Sequence, residues 1–206
     1  MKTEFRIVEE DKSRRFAFRP LEIGDADLLH TWMHQKHIAP FWKLDVSKEK
    51  LTEWVENSLK AEHKDCYIGT CNGEPVTYVI AYDIRKDPIR EYYDHQEKDL
   101  GMHLLIGPRP LLNKADGLGL IRAMIYFLFD TYDAHRIIGE PDRRNRIILP
   151  ILKQIGGEVL GHIDLPGKEA TLIQGEKAAF EKSLADHQVV VEPMQRMTSK
   201  AGGILS

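Results

Sequence analysis

His103 stands inside the apolar segment MHLLIG, which reads as a strand, and the glycine-marked stretch NKADGLG separates it from the apolar helix LIRAMIYFLF. Imidazole is the side chain whose charge changes near neutral pH, and burial in an apolar strand favours the neutral form, which can take a proton from a nucleophile. A histidine satisfied within a core gives the same pattern, so the residue opens both a base reading and a structural one. The loop also has two readings. Lys114, Gly117 and Gly119 come just before a helix, whose unpaired amides and positive dipole end suit an anion such as phosphate. Glycines that only cap and pack a turn fit as well, and neither the G-K-[ST] of a magnesium-nucleotide loop nor the third glycine of a dinucleotide loop is present. Asp142, in EPDRRN beyond the next apolar segment HRIIG, can reach His103 from the same sheet edge if the two strands are neighbours. Together they could bind and deprotonate an amine. The other reading of Asp142 is a turn or helix-capping residue.

These groups need a frame, and the hydrophobic pattern supplies one. FAFRPL alternates as a strand; Asp25 can cap a helix carrying Leu28, Leu29, Trp32 and Met33, and Ser47 a second with Leu51, Trp54, Val55 and Leu59 in one stripe. CYIGT and PVTYVIAYDI flank Asn72-Gly73, a two-residue hairpin signal. Strand MHLLIG, the apolar helix and strand HRIIGEP follow. A helix over residues 144–155 has Ile147, Ile148, Ile151, Leu152 and Ile155 on its apolar side, with Pro150 expected to bend it. EVLGHIDLP and EATLIQ read as two strands around a Pro-Gly turn, and EKAAFEKSL as a last helix. The order β α α β β β α β α β β implies an α/β fold, a mixed sheet flanked by helices on both sides.

With 206 residues, 42% of them hydrophobic, the chain can enclose one core, so we expect one domain over residues 1–185 and a loosely held or oligomer-contacting tail over 186–206. Twenty-nine basic and 32 acidic residues nearly cancel, which argues against nucleic acid and anionic membrane as partners. Cys66 and Cys71 lack the second pair a zinc site needs and read as reduced strand residues; His34 and His37 lack a third ligand, so no metal is expected. The N-terminal stretch has no signal-peptide core and no apolar run spans a bilayer, so a cytoplasmic protein is expected.

From FRPL at residue 18 to ATLI at residue 173 the chain resembles the acetyl-coenzyme A dependent N-acyltransferase superfamily, the GNAT fold. NRIILPILKQIGG is similar to the superfamily pattern N-x-x-A-x-x-L-Y-x-x-x-G-F; the likeness implies that Asn145 contacts the pantetheine arm and puts Gly156 at the glycine. Two positions depart from it: only the glycines of the [QR]-x-x-G-x-[GA] loop remain, and Leu152 stands where many members carry a tyrosine acid. FRPLEIGDADLLHTWMHQKHIAPFW, YYDHQEKDLGMHLLIGP, IIGEPDRRN and LPGKEATLI together look like the siderophore-biosynthesis branch, which acylates the side-chain amine or hydroxylamine of lysine, N6-hydroxylysine or related diamines. Ile80 sits where branch members often show a glutamate, a departure that bears on the acceptor.

The resemblance implies His103 and Asp142 for substrate binding and proton transfer. It implies an acyl-CoA donor, acetyl-CoA or a longer thioester, with its diphosphate on Asn113, Lys114, Gly117, Leu118 and Gly119 and its arm along the strand at Leu105, Ile106 and Gly107. Trp42 and Lys168 are candidates for the acceptor pocket. An acyl carrier protein as donor, a monomer or a homodimer, a general N-acetyltransferase for an aminoglycoside, polyamine or protein N-terminus, and a non-catalytic CoA-binding module all remain open.

Overall fold

The computed structural model of the chain describes residues 3–9, 12–145 and 148–194. Strands β1 (Thr3–Glu9) and β2 (Lys12–Pro20) are followed by helices α1 (Ala26–Met33), α2 (Ala39–Trp42) and α3 (Lys48–Lys60). The hairpin β3 (Lys64–Cys71) and β4 (Glu74–Asp83), then β5 (Asp99–Ile106), α4 (Lys114–Thr131), β6 (Arg136–Gly139) and α5 (Ile148–Leu152) come next. Strands β7 (Gly157–Leu165) and β8 (Lys168–Glu176), helix α6 (Lys177–Asp186) and β9 (Val190–Pro193) complete the described chain. The nine strands make one sheet in the order β7-β8-β6-β5-β4-β3-β2-β1-β9. This is the expected mixed α/β sheet flanked by helices.

Period-two alternation divides the strand side chains between two cores. Phe5, Ile7, Phe16, Phe18, Val79 and Ala81 pack with α4 and α6 on one face, where Phe18 stacks on Phe127 at 4.3 Å between ring centroids. Ile68, Tyr78, Ile80 and Tyr82 pack with α1 and α3 on the other. The β3–β4 turn is the one its sequence demands: Asn72 and Gly73 both have positive φ, 52° and 96°. Cys66 and Cys71 both lie in β3 as free thiols, and no helix among the described residues is long and apolar enough to cross a membrane.

Several elements differ from the sequence expectation; α2 is a short helix in the stretch that reads as the connection between the two capped helices. β1 precedes the first expected strand and pairs with β2 on one side and β9 on the other. β9 falls in the expected tail, and the part of that tail from residue 195 lies outside the described residues. The helix expected over 144–155 is shorter: α5 passes at Lys153 into a 3₁₀ turn that Gly156 ends at φ 72°. Pro150 lies within α5, whose described part ends two residues later at Leu152. Ile147 lies outside the described residues.

The site is made by the way β5 meets its neighbours. Antiparallel β4 covers one side of β5 over its length, from Thr77↔Ile106 to Asp83↔Leu100. Parallel β6 covers the other side only at Asp99, Leu100 and Gly101. From Met102 onward the strands part, and among the described residues one edge of β5 has no strand partner. The amide of Gly107 donates to Val76 O at 2.9 Å. By the two-residue alternation of an antiparallel ladder, His103 and Leu105 turn their backbone groups toward β4, and Leu104 and Ile106 turn theirs to the open edge.

Candidate active site

The open edge lines a cleft of about 370 Å³ whose walls include Trp42, Trp54, His103, Leu104, Glu140 and Lys168. A narrower groove continues from it along Leu104 and Ile106 to Leu112, just before α4, and the two spaces share Phe41, Trp42, Leu104, Asn145 and Ile148. One continuous channel therefore runs from the start of α4, along the free edge of β5, to His103. Of the residues singled out from sequence, Trp42, His103, Lys168 and Asn145 meet around it.

His103 is not buried as its apolar neighbours suggested. Its side chain is 40% exposed, because it projects from β5 where the sheet has opened. The ring is held on two sides. Tyr82 lies flat against it, with centroids 5.0 Å apart and planes 22° apart; Gly101 makes room, since a Cβ there would sit 2.2 Å from the Tyr82 ring. Along its edge, Nδ1 lies 3.2 Å from Oε1 of Glu140. The Glu140 side chain is only 6% exposed; Oε2 accepts from the Tyr82 hydroxyl at 3.1 Å, and Oε1 also lies 3.5 Å from Lys168 Nζ. Burial, with Glu140 alongside, pushes the Tyr82 phenol well above its usual range, so Tyr82 keeps its proton and donates it.

The carboxylate that reaches His103 is thus Glu140, two residues before Asp142. Asp142 is held elsewhere: Oδ1 accepts from the Arg144 backbone amide and from Nε, both at 2.9 Å, and Oδ2 from Nη2 at 2.8 Å. The Arg144 guanidinium holds its carboxyl at about 2. Arg144 in turn lies 5.9 Å over the ring of Phe41, and Lys43 Nζ donates to Gly167 O at 3.1 Å. These two contacts tie α2, which carries Trp42, across the cleft mouth.

The α4 end departs from the expected loop. Lys114 begins the helix, so Gly117 and Gly119 lie within its first two turns. Asn113 caps it: Oδ1 accepts from the amides of Ala115 and Asp116 at 3.1 and 3.0 Å, and the Gly117 amide donates to Asn113 O. Asp116 places a carboxylate there, paired with Arg14 at 3.2 Å. A diphosphate that used the Ala115 and Asp116 amides would have to displace the Asn113 side chain. The part given to the Lys114 side chain lies outside the described structure, and Leu118 lies in α4. On β5, the amide of Gly107 and the carbonyl of Leu105 are taken, the latter by Thr77 Oγ1 at 2.6 Å, and Ile106 O accepts from His37 Nε2 at 3.2 Å. The backbone of Leu104 and the amide of Ile106 face the groove, which is the geometry an extended amide-bearing arm needs to add to the sheet as a strand. The open edge fits the pantetheine arm of an acyl-CoA; the α4 end fits its diphosphate by dipole direction, with the Ala115 and Asp116 amides already capped by Asn113.

Comparison with known proteins agrees with this reading. The family described as "Acetyltransferase (GNAT) domain" matches residues 23–165. The chain is 32% identical over 156 residues to N-hydroxyputrescine acetyltransferase of Acinetobacter baumannii, covering 76% of this chain and 74% of that one. It is 29% identical over 158 residues to lysine N-acyltransferase MbtK of Mycolicibacterium paratuberculosis, covering 76% and 72%. Its structure is similar, with a TM-score of 0.83 and 32% identity, to that of an uncharacterized Bacillus halodurans protein, over 90% of this chain and 96% of that one. A sheet that opens beside a histidine, a groove along the opened edge and a family match over most of the chain lead to one conclusion: this chain belongs to the GNAT acetyltransferase family.

Proposed function

We propose that this enzyme moves an acyl group, most simply acetyl, from acyl-CoA to the side-chain amine or hydroxylamine of lysine, N6-hydroxylysine or a related diamine, in the manner of siderophore biosynthesis. One observation carries the reading: His103 stands where the channel along the open β5 edge enters the wider cleft. A thioester whose arm extends β5 brings its carbonyl beside Leu104, and an acceptor chain lying between the Trp42 and Trp54 walls brings its nitrogen or oxygen beside His103.

On this reading His103 takes the proton from the acceptor as the new bond to the acyl carbon forms and the carbon–sulfur bond breaks. The outward amide of Leu104 or Ile106 supports the developing oxyanion. Leu152, buried against the core, offers no acidic proton, so the proton collected by His103 is the one at hand for the departing thiolate. Asn145 flanks the arm where groove and cleft join. The two nearby carboxylates are already engaged, Glu140 by Lys168 and Asp142 by Arg144, which suits a short amine or hydroxylamine better than a polycationic aminoglycoside. The reading sets the reaction in the cytoplasm, with free acyl-CoA rather than an acyl carrier protein as donor.

The test is thiol release from acetyl-CoA with lysine, N6-hydroxylysine, N-hydroxyputrescine, spermidine and kanamycin in parallel. Turnover is expected with members of the first three. Turnover with kanamycin or spermidine alone supports a general N-acetyltransferase instead, and coenzyme A binding without turnover on any acceptor supports a binding module.

A further inference from the structure

We propose that Glu140 is a positioning residue: its carboxylate fixes the His103 imidazole with hydrogen on Nδ1 and the lone pair of Nε2 toward the cleft, and Lys168 limits how strongly it does so. The proposal rests on the reading of His103 as the base and adds what makes that base usable.

A carboxylate this buried needs partners, and Glu140 has three. Tyr82 donates to Oε2 and Lys168 Nζ to Oε1, so both Glu140 oxygens act as acceptors. The nitrogen that approaches it must then carry the hydrogen. With Nδ1 protonated, the neutral ring keeps its lone pair on Nε2, the nitrogen on the far side of the ring from Glu140. Tyr82 sets the ring plane from one face and Trp42 meets it edge-on at 6.5 Å. The ring can neither flip nor tilt without giving up a contact.

Charge is shared along the row Lys168, Glu140, His103. When His103 takes a proton from the acceptor, Glu140 stabilises the imidazolium, an opposite charge within hydrogen-bond reach. Lys168 faces the same Glu140 oxygen at 3.5 Å, so part of the carboxylate's charge is already compensated. The other ionisable groups facing the row are Tyr82, which stays neutral, and Asp142, whose charge acts on Lys168 but is bound by Arg144. The sequence hid this arrangement because Glu140, in EPD at a strand end, has the look of a surface residue.

Two substitutions should move the pH profile in opposite directions, which loss of packing alone would not do. Glu140→Gln keeps the shape and removes the charge: kcat is expected to fall about 100-fold, the acid limb of kcat/KM to move to lower pH by about one unit, and KM for acetyl-CoA to stay within about twofold. Glu140→Asp should recover part of kcat. Lys168→Met should move the same limb to higher pH. A Glu140→Gln limb that stays in place while His103→Gln abolishes turnover overturns the role of Glu140 and leaves the base reading standing; retention of turnover and limb by His103→Gln overturns the base reading itself. Nitrogen NMR of the unaltered enzyme labelled in histidine provides a measurement independent of variant folding. Above the limb, His103 should show hydrogen on Nδ1 and a bare Nε2, and the reverse tautomer overturns the proposal.

Discussion

The two halves of β5 have opposite designs. Leu100 and Gly101 lie between β4 and β6, and Asp99 just before them, paired with β6 and with no exposed side-chain surface, receives Arg136 through two hydrogen bonds of 2.7 Å. Tyr93 and the Gln96 amide complete Asp99, and Gln174 takes a further donor of Arg136. Every group at this end is satisfied within the protein. Beyond Gly101 the strand loses β6 and keeps outward backbone groups at Leu104 and Ile106, with His103 exposed beside them. The active cleft exists because one strand is clamped at one end and left unpaired at the other; the clamp supplies rigidity, and the unpaired end supplies donors for a ligand.

The largest effect should come from breaking the clamp. Asp99→Ala leaves the Arg136 charge with one carboxylate fewer in a buried position and is expected to cost about 3–5 kcal/mol, read as a fall in the urea midpoint. The pH dependence has a defined sign. Burial raises the Asp99 carboxyl, but the hydrogen bonds from Arg136, Gln96 and Tyr93 together with the Arg136 charge outweigh it, and the carboxyl is lowered. Its stabilisation is therefore fully present above the ordinary carboxylate range and is lost as pH falls through the lowered value. The wild-type midpoint should be flat in this respect near neutrality and fall in acid, and the variant should show a smaller acid loss. Equal acid sensitivity in both would mean that the clamp is not what holds this end.

His103→Ala should do the reverse: a loss of about 10²–10⁴ in kcat with the urea midpoint and coenzyme A affinity little changed. A variant that binds the cofactor normally and turns over normally would separate the open end from the chemistry altogether.

The same contrast explains what could be read from the chain beforehand. The hairpin at Asn72-Gly73 and the apolar stripes of α1, α3 and α4 are local patterns, and local patterns survive in sequence. His103 stands out as a titratable residue in an apolar strand, whereas Asn145 is implied by the family motif and Trp42 and Lys168 lie in blocks that resemble the siderophore branch. β1 was missed although Phe5 and Ile7 alternate with polar residues, because the charged residues around them mask so short a pattern. The α4 start was misplaced because Asn113 is as good a cap as glycine is a loop residue, and helix propensity does not choose between them. Glu140 could not be singled out in this way: its burial depends on β6 ending at Gly139, where β5 has already diverged, and that is a property of two strands and not of either sequence.

A smaller effect should come from the open edge itself. Leu104→Pro removes an amide that faces the groove and makes no bond to β4, so the ladder loses nothing while the ligand loses a donor. One neutral hydrogen bond contributes about 0.5–1.5 kcal/mol, or about two- to tenfold in acetyl-CoA affinity by calorimetry. Leu105→Pro is the control, because its backbone is turned to β4; it should destabilise the fold instead. If both variants behave alike, the alternation assigned to β5 is wrong.

The smallest expected effect belongs to the strap across the cleft mouth. Arg144→Ala removes the partner of Asp142 and the cation over Phe41, both at an exposed position, so stability should hardly change. What should change is how firmly α2 holds Trp42 over the acceptor: KM for the amine should rise a few fold while kcat and coenzyme A affinity hold. Asp142→Asn adds a sharper distinction. A carboxyl held at about 2 by Arg144 is already ionised across the whole working range, so it cannot own a limb near neutrality, and the pH profile of this variant should keep the wild-type acid limb. A shifted limb would bring Asp142 back into proton transfer and make the strap a secondary feature of the site.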